Sequence, residues 1–290
     1  MRARCSAHER KPRAVTESDG PLVVAIGAAL TALAAVLLAY TLRARRRVLE
    51  VSQPFPPQWR SLLAERVPLY GRMPADVRLR LEPLVRGFLA DVEFIGCQGL
   101  EITDEMRLTI SIQACLLAAG LGPRAYDSLR SVLVYPDEFV VEESDEDEAG
   151  VVTEGARVLS GQAFEASRIV LSWRDVLESG GADEPYNVVL HEFAHYLDHS
   201  VGGALTAPTA KHPTPGSWHA VLEREYAALC AAVDRGETTL IDPYAAERPE
   251  EFFAVATETF FEAPRQMRER HPHLYRKLQG LYGLDPAGWT

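Results

Sequence analysis

The segment Asn187–Ser200, with the sequence NVVLHEFAHYLDHS, constrains the fold of this chain more than any other. His191 and His195 are four residues apart, and on an α-helix this spacing places two side chains on one face, about one turn apart. Apolar residues precede and separate the two histidines, as in a helix with one buried side. The segment therefore predicts a helix that presents two imidazoles in the same direction.

Two imidazoles placed in this way can bind one divalent ion. Glu192 is rotated from His191 by roughly 100°, so its carboxylate is expected beside the ion rather than on it. Zinc lowers the pKa of a bound water toward neutrality, and a carboxylate in that place can accept the proton and pass it to a leaving amine. The pattern predicts a hydrolytic zinc site with His191 and His195 as ligands and Glu192 as general base and then acid. The alternative is a helix whose histidines only bond to their neighbours.

A catalytic zinc site needs a third protein ligand and an open position. In one common pattern a histidine follows six residues after His195, but Val201 stands there. The later segment 247–264 offers two carboxylates, Glu251 and Glu258, which are seven residues apart and therefore on one helical face. The spacing does not decide which of the two is the ligand and which supports it.

Other polar residues near the motif are expected to play lesser parts. Asp198 follows His191 by seven residues, on the same face, where it could orient an imidazole, but the sequence does not decide its role. His199 is out of phase with the ligand face, and His212 and His219 lie in or near a Pro-rich loop. None of these three histidines is expected to bind the metal.

Residues 21–42 contain no charged side chain. At roughly 1.5 Å per residue, a helix of this length would cross a hydrocarbon layer of roughly 30 Å. The alternatives are a cleaved signal peptide and a buried core helix, but an arginine cluster at 43–47 stands where a small-residue cleavage site would lie. We therefore expect a single-pass helix in the inner (cytoplasmic) membrane. The cluster favours a cytoplasmic catalytic domain, whereas basic residues within 1–20 favour the opposite orientation.

The chain as a whole divides into four predicted parts. These are a polar tail at 1–20, the transmembrane helix at 21–42, a basic and Pro-rich linker at 43–58, and one folded domain at 59–290. The net charge of -11 argues against a nucleic-acid partner, which would require a basic face. The four cysteines show no paired spacing, which fits a reducing compartment.

The pattern of the folded domain predicts an α+β fold. Residues 74–94 and 103–120 carry apolar side chains at helical spacing, and a last helix is expected over roughly 265–281. Residues 131–141 and 156–173 are rich in β-branched and aromatic side chains, which predicts strands.

In three segments the chain resembles the Mlc titration factor A family of zinc peptidases: VLHEFAHYLD, IDPYAAERPEEFFAVATETFFEAP, and the upstream VLVYPDEFVVEES with SGQAF and IVLSW. The resemblance covers about Trp59 to Pro286. It implies a gluzincin-like metallopeptidase fold on the cytosolic side, related in its active site to the lethal-factor type of protease. It also implies aminopeptidase activity and one zinc ion.

The resemblance also implies roles for individual residues. It assigns the zinc ligands to His191, His195 and Glu251 and the catalytic glutamate to Glu192. The choice of Glu251 over its neighbour seven residues later thus comes from the resemblance and not from spacing. Tyr244 matches a family tyrosine, and a phenol near the third ligand can donate a hydrogen bond to a tetrahedral oxyanion. A merely packed tyrosine is the alternative.

The chain departs from the family in two places. Thr153 stands where some members carry a histidine that reaches the metal, so a fourth ligand is not expected. The segment 21–42 is absent from the soluble enterobacterial members, so their partner, a transcriptional repressor, cannot simply be transferred to this chain.

Three functions remain in competition. The first is a membrane-anchored zinc peptidase, with a peptide or protein substrate. The second is a regulatory protein that sequesters a transcriptional regulator or another partner at the membrane, with cleavage incidental. The third is a zinc hydrolase that acts on something other than peptides.

Overall fold

A computed structural model describes most of the chain: residues 20–137, 139–146, 152–159, 161–162, 167–181, 185–206 and 216–289. The chain divides into two compact units, Met1–Arg46 and Arg47–Thr290. The second unit carries all the residues of the predicted site.

Helix α1 spans Gly20–Ser52. Large apolar side chains between residues 24 and 42 are exposed, namely Val24, Ile26, Leu30, Leu33, Val36, Leu37, Leu38 and Leu42. Among the helices of the described residues, none combines the length and the apolar character needed to cross a membrane. The spanning helix expected over 21–42 is therefore not confirmed and stays a prediction. The expected linker, 43–58, holds the end of α1 and the start of the next helix.

The second unit contains the remaining elements. The helices are α2 (Pro57–Arg66), α3 (Pro68–Arg72), α4 (Ala75–Asp91), α5 (Asp104–Leu121), α6 (Trp173–Glu178), α7 (Val188–Ser200), α8 (Trp218–Asp234), α9 (Pro249–Glu262), α10 (Pro264–Arg270) and α11 (Pro272–Tyr282). The strands are β1 (Glu93–Gly96), β2 (Ser131–Tyr135), β3 (Phe139–Glu146), β4 (Val152–Leu159), β5 (Gly161–Gln162) and β6 (Arg168–Ser172). Short 3-10 helices lie at Pro243–Ala246 and Pro286–Gly288.

The strands form two small sheets. The first has the order β1-β2-β6-β5, in which β1, β2 and β6 are parallel and β5 is antiparallel to β6. Val132 lies opposite Ile169 in its centre, and both side chains are fully buried. The second sheet is the antiparallel pair β3–β4. Many helices with a small mixed sheet agree with the predicted α+β class.

The core lies around α5, α7 and α9. Phe193 of α7 is fully buried, and its ring packs against Phe88 at 5.8 Å and Tyr126 at 5.3 Å between centroids. On α9, Phe252 and Phe260 are also fully buried. Each such side chain stabilises the fold by roughly 1.5–3 kcal/mol relative to an exposed one. The packing therefore holds α7 and α9 as rigid neighbours.

The last predicted helix is wrong as a single element. Residues 264–282 form α10 and α11, which meet at His271 and Pro272. His271 has the extended φ of −128°, because the ring of a following proline disfavours the helical conformation. Helix α8 was not predicted, and the helical pattern read over 74–94 extends too far, because α4 ends at Asp91 and β1 begins at Glu93.

Gly120 of α5 allows the backbone of α11 to approach closely. A Cβ at Gly120 would lie 2.3 Å from the carbonyl oxygen of Leu281 and 2.5 Å from the carbonyl carbon of Tyr282. Because these are backbone atoms, they cannot rotate away. We expect Gly120→Ala to lower the free energy of unfolding by about 2 kcal/mol or more, measured by denaturant unfolding.

Gly280→Ala, within α11, is the matched control, because no heavy atom lies within 4 Å of its would-be Cβ. This change should be neutral or stabilising by up to about 1 kcal/mol, since alanine is the better helix former. Equal stability of both variants would show that the contact at Gly120 is not rigid.

Candidate metal centre

Two neighbouring helices carry the predicted ligands. Helix α7 begins at Asn187, whose side-chain oxygen accepts a hydrogen bond from the amide of Leu190 and so caps the helix. Helix α9 begins at Pro249, which suits the first position of a helix. Glu251 lies in the first turn of α9 and faces His191 and His195 of α7.

The three predicted ligands form a nearly equilateral triangle. Nε2 of His195 lies 3.1 Å from Nε2 of His191, and Oε2 of Glu251 lies 3.2 Å from the His191 nitrogen and 3.1 Å from the His195 nitrogen. A tetrahedral zinc ion with bonds of about 2.0–2.1 Å has ligand atoms roughly 3.3 Å apart. In the described part of the chain, this group is the one whose ligand atoms are placed to hold a metal ion. The residues therefore fit a tetrahedral ion of this size.

Glu258 lies behind the triangle. Its Oε1 is 2.8 Å from Nδ1 of His191, and its other oxygen accepts a hydrogen bond from the backbone N–H of Asn187. A carboxylate on Nδ1 keeps the proton there and leaves the Nε2 lone pair free for an ion. In the structure, Glu251 lies next to both Nε2 atoms, whereas Glu258 lies against Nδ1 of His191 on the far side of the ring.

The electrostatics of the triangle favour a positive charge. Burial alone would lower the pKa of His191, but hydrogen bonds to Glu251 and Glu258 outweigh it and raise that pKa to about 10. Burial alone would raise the pKa of Glu251, but the two imidazoles lower it below its ordinary range. A divalent cation would satisfy the same acidic surroundings that here favour a proton.

Glu192 is buried beside the triangle, with 5% of its surface exposed. Burial raises its pKa to about 6, and the neighbouring imidazoles limit the increase. At neutral pH the carboxylate is therefore mostly ionised, yet it binds a proton more readily than an ordinary glutamate. These are the properties of a general base that later returns the proton.

Two residues form the exposed edge of the site. The ring centroid of Tyr244 lies 6.3 Å from that of His191, and 46% of the residue surface is exposed. Burial and the carboxylates of Glu251 and Glu247 raise the pKa of Tyr244 to about 12, so the phenol keeps its proton. Arg248 donates to Oε1 of Glu251 at 2.9 Å. The sequence analysis missed Arg248, although its spacing of three residues from Glu251 on a helix was a usable signal.

The structure gives Asp198 a role in the turn after α7. One of its oxygens accepts hydrogen bonds from the amides of Leu205 and Thr206, and the other accepts one from the Thr206 hydroxyl. It therefore closes the turn after α7 and does not orient an imidazole. His219 contacts the carbonyl of Ala204, away from the triangle. His212 and the side chain of Thr153 lie outside the described residues.

Comparison with known proteins agrees with this geometry. Residues 41–283 match the family described as glucose-regulated metallo-peptidase M90. An uncharacterized protein of Synechocystis is 37% identical over 237 residues, which cover 81% of this chain and 86% of the relative. Mlc titration factor A of Pectobacterium atrosepticum is 36% identical over 79% of this chain and 86% of the relative. The Escherichia fergusonii protein of that name is 33% identical over 82% of this chain and 89% of the relative.

These matches confirm the resemblance found in the sequence. They run through both ligand-bearing helices, α7 and α9, and through the strands that precede them. The chain therefore belongs to the glucose-regulated metallo-peptidase M90 family, together with relatives named Mlc titration factor A.

Proposed function

We propose that this chain is a zinc metallopeptidase in which His191, His195 and Glu251 hold the ion and Glu192 moves the proton. The observation that carries the proposal is the triangle of two Nε2 atoms and one Oε2 atom with edges of 3.1–3.2 Å. Two imidazoles and one carboxylate are a donor set typical of catalytic zinc. Family membership supports a metal-dependent peptidase.

The residues of the site divide the work of peptide hydrolysis. When bound, the metal supplies Lewis-acid chemistry, which acidifies water and polarises a carbonyl group. Glu192 takes a proton from the attacking water and returns it to the leaving amine. Glu258 holds His191 in one tautomer, and Tyr244 donates a hydrogen bond to the oxyanion. Arg248 holds the outer oxygen of Glu251, so that only the inner one faces the histidines.

The proposed activity is of the aminopeptidase type. Its first support is the family resemblance. The second is the charge of the segment that enters α9, where Asp242, Glu247 and Glu250 are exposed around Tyr244. Negative charge at this edge would attract the ammonium group of a peptide's first residue.

Glu192→Gln tests the mechanism. The amide keeps the shape of the side chain but cannot accept the proton, so peptide hydrolysis should fall by at least about 100-fold while zinc content stays at one per chain. Metal analysis and a peptide assay measure the two effects. Running the assay with free and acetylated amino termini also tests the aminopeptidase type, since acetylation should abolish cleavage.

Glu269→Gln is the matched control, because it makes the same change at an exposed glutamate of α10 that has no part in the proposed site. Its hydrolysis rate should stay within a few-fold of the unchanged protein. Full turnover by the Glu192→Gln protein would remove Glu192 from the mechanism.

The rate should depend on pH through Glu192. Its pKa is raised from the ordinary 4.5 to about 6, so the base form is lost as the pH falls through 6. We expect kcat/KM to fall about tenfold per pH unit below that value. Because acid also protonates the ligands, zinc content must be measured at each pH. A rate that stays constant down to pH 4.5 with zinc retained would exclude Glu192 as the base.

We further propose that residues 21–42 anchor the chain in the cytoplasmic membrane, with the second unit in the cytoplasm. The supports are the uncharged sequence, the exposed apolar side chains of α1, and the arginines that follow. The full chain should sediment with membranes and resist extraction by high salt, and deletion of 21–42 should release it. A full chain that stays in the soluble fraction would contradict the proposal.

A second candidate function is the capture of a regulatory protein. It is favoured by the name of several relatives, Mlc titration factor A, which describes titration of a partner. For this chain the partner would be a transcriptional regulator held at the membrane, with cleavage incidental. The Glu192→Gln protein separates the two functions: capture predicts that it still inhibits the partner fully, whereas the peptidase proposal predicts that inhibition is lost with turnover.

A further inference from the structure

Asn187 is a buried polar residue that the proposed mechanism does not use. Only 2% of its surface is exposed. It stands at the start of α7, four residues before the first ligand histidine. Its side chain and its backbone make five hydrogen bonds, which reach α5, α7 and α9.

In the side-chain amide of Asn187, the oxygen must be the acceptor and the NH2 group the donor. Its Oδ1 accepts from the backbone N–H of Leu190, so the NH2 group must be the donor on the other side. That group donates to Oε1 of Gln113 at 2.6 Å and to Oε1 of Glu262 at 2.8 Å. Gln113 donates its own NH2 to the carbonyl of Thr109, which leaves its oxygen toward Asn187. Both N–H groups of the Asn187 side chain therefore meet an acceptor.

Glu262 is the partner of Asn187 on α9. Its side chain is 6% exposed, and its second oxygen accepts from Arg72 at 3.0 Å. Burial raises the pKa of Glu262, so the carboxylate is costly to place there. Buried polar groups of this kind are often no more stable than apolar ones, and some are retained because they specify one arrangement.

The position of Glu262 indicates which arrangement of the helices this buried polar pair specifies. It follows Glu251 by eleven residues, or roughly 16 Å along the helix. Helix α9 thus meets α7 at one end through the ligand triangle and at the other end through Asn187. Between the two ends, Glu258 contacts both His191 and the backbone of Asn187.

We propose that Asn187, acting with Glu262, is a positioning residue that fixes α9 against α7 and so sets the size of the metal-binding triangle. This inference rests on the proposed zinc site. It does not place Asn187 in contact with the metal or the substrate. The amide is required because it must accept from Leu190 and donate to Glu262 at the same time.

The test uses variants that keep the helix cap. Asn187→Ser retains an oxygen that caps α7 but loses both NH2 donors. We expect its zinc dissociation constant to increase about 10–100-fold, which is the usual loss of metal affinity when a residue that supports the metal ligands is replaced. The measurement is a competition titration of the metal-free full-length protein with a zinc chelator. The visible spectrum of the cobalt-substituted protein should also change, because it reports ligand geometry.

A donor–acceptor swap provides the rescue. Asn187→Asp places two carboxylates against each other and should weaken zinc binding at least as much as Asn187→Ser. Adding Glu262→Gln restores a bond between the two helices, now donated by residue 262, and should recover most of the affinity and the spectrum. Glu262→Gln alone keeps an acceptor for Asn187 and should bind zinc within a few-fold of the unchanged protein.

Ser217→Ala is the matched control. It removes the side-chain cap of α8, a helix that carries no proposed ligand. We expect a lower Tm with unchanged zinc affinity. If the Asn187 variants behave in the same way, with a lower Tm but normal affinity and spectrum, the positioning role is overturned. Should the Asn187 variants fail to fold, Glu262→Ala carries the test, with weakened zinc binding expected and normal binding overturning the proposal.

The outcomes also separate this inference from the proposed function. An unchanged protein that binds zinc but cleaves no peptide would contradict the peptidase alone. An unchanged protein that binds no zinc would overturn both.

Discussion

The packing of α7 on α9 is the interaction on which the rest of the site depends. Neither helix carries a complete ligand set, since α7 supplies two imidazoles and α9 supplies one carboxylate. Apolar side chains of both helices are fully buried in the common core, where Phe193 packs against Phe88 and Tyr126, and Phe252 packs against Tyr226. The triangle of ligand atoms is therefore a product of core packing, and the charged groups act within a distance that the core has already set.

This arrangement concentrates negative charge in a place with little solvent. Glu192, Glu251 and Glu258 are buried around two imidazoles. Burial raises the pKa of Glu192 and of Glu258, which shows that their charged forms are unfavourable there. A cation that binds the folded chain and not the unfolded one offsets this cost and stabilises the fold. The buried acids of the site would thus make the stability of the fold depend on a bound cation.

The relation between residues of one helix could be predicted from the sequence, whereas the contacts between helices could not. His191, Glu192 and His195 lie on one helix, so their relation follows from helical geometry alone. The choice between Glu251 and Glu258 could not be made from spacing, because residues seven apart share a face and only the contact between helices selects one. Asp198 shows the same limit: its face was right, but the turn at Leu205 and Thr206 folds back and takes its oxygens. Asn187 was missed because its partners lie on α5 and α9, far away in sequence.

The aromatic cluster behind α7 has a consequence for how the helix is oriented about its own axis. Phe193 follows His191 by two residues and therefore points to nearly the opposite side. There its ring is enclosed by Phe88 and Tyr126. A rotation of α7 about its axis by one residue, or roughly 100°, would remove this ring from its contacts with Phe88 and Tyr126 and would turn both imidazoles away from α9. The rotation of α7 about its own axis, and with it the direction of the two imidazoles, is thus determined on the buried side of the helix, opposite the proposed metal site.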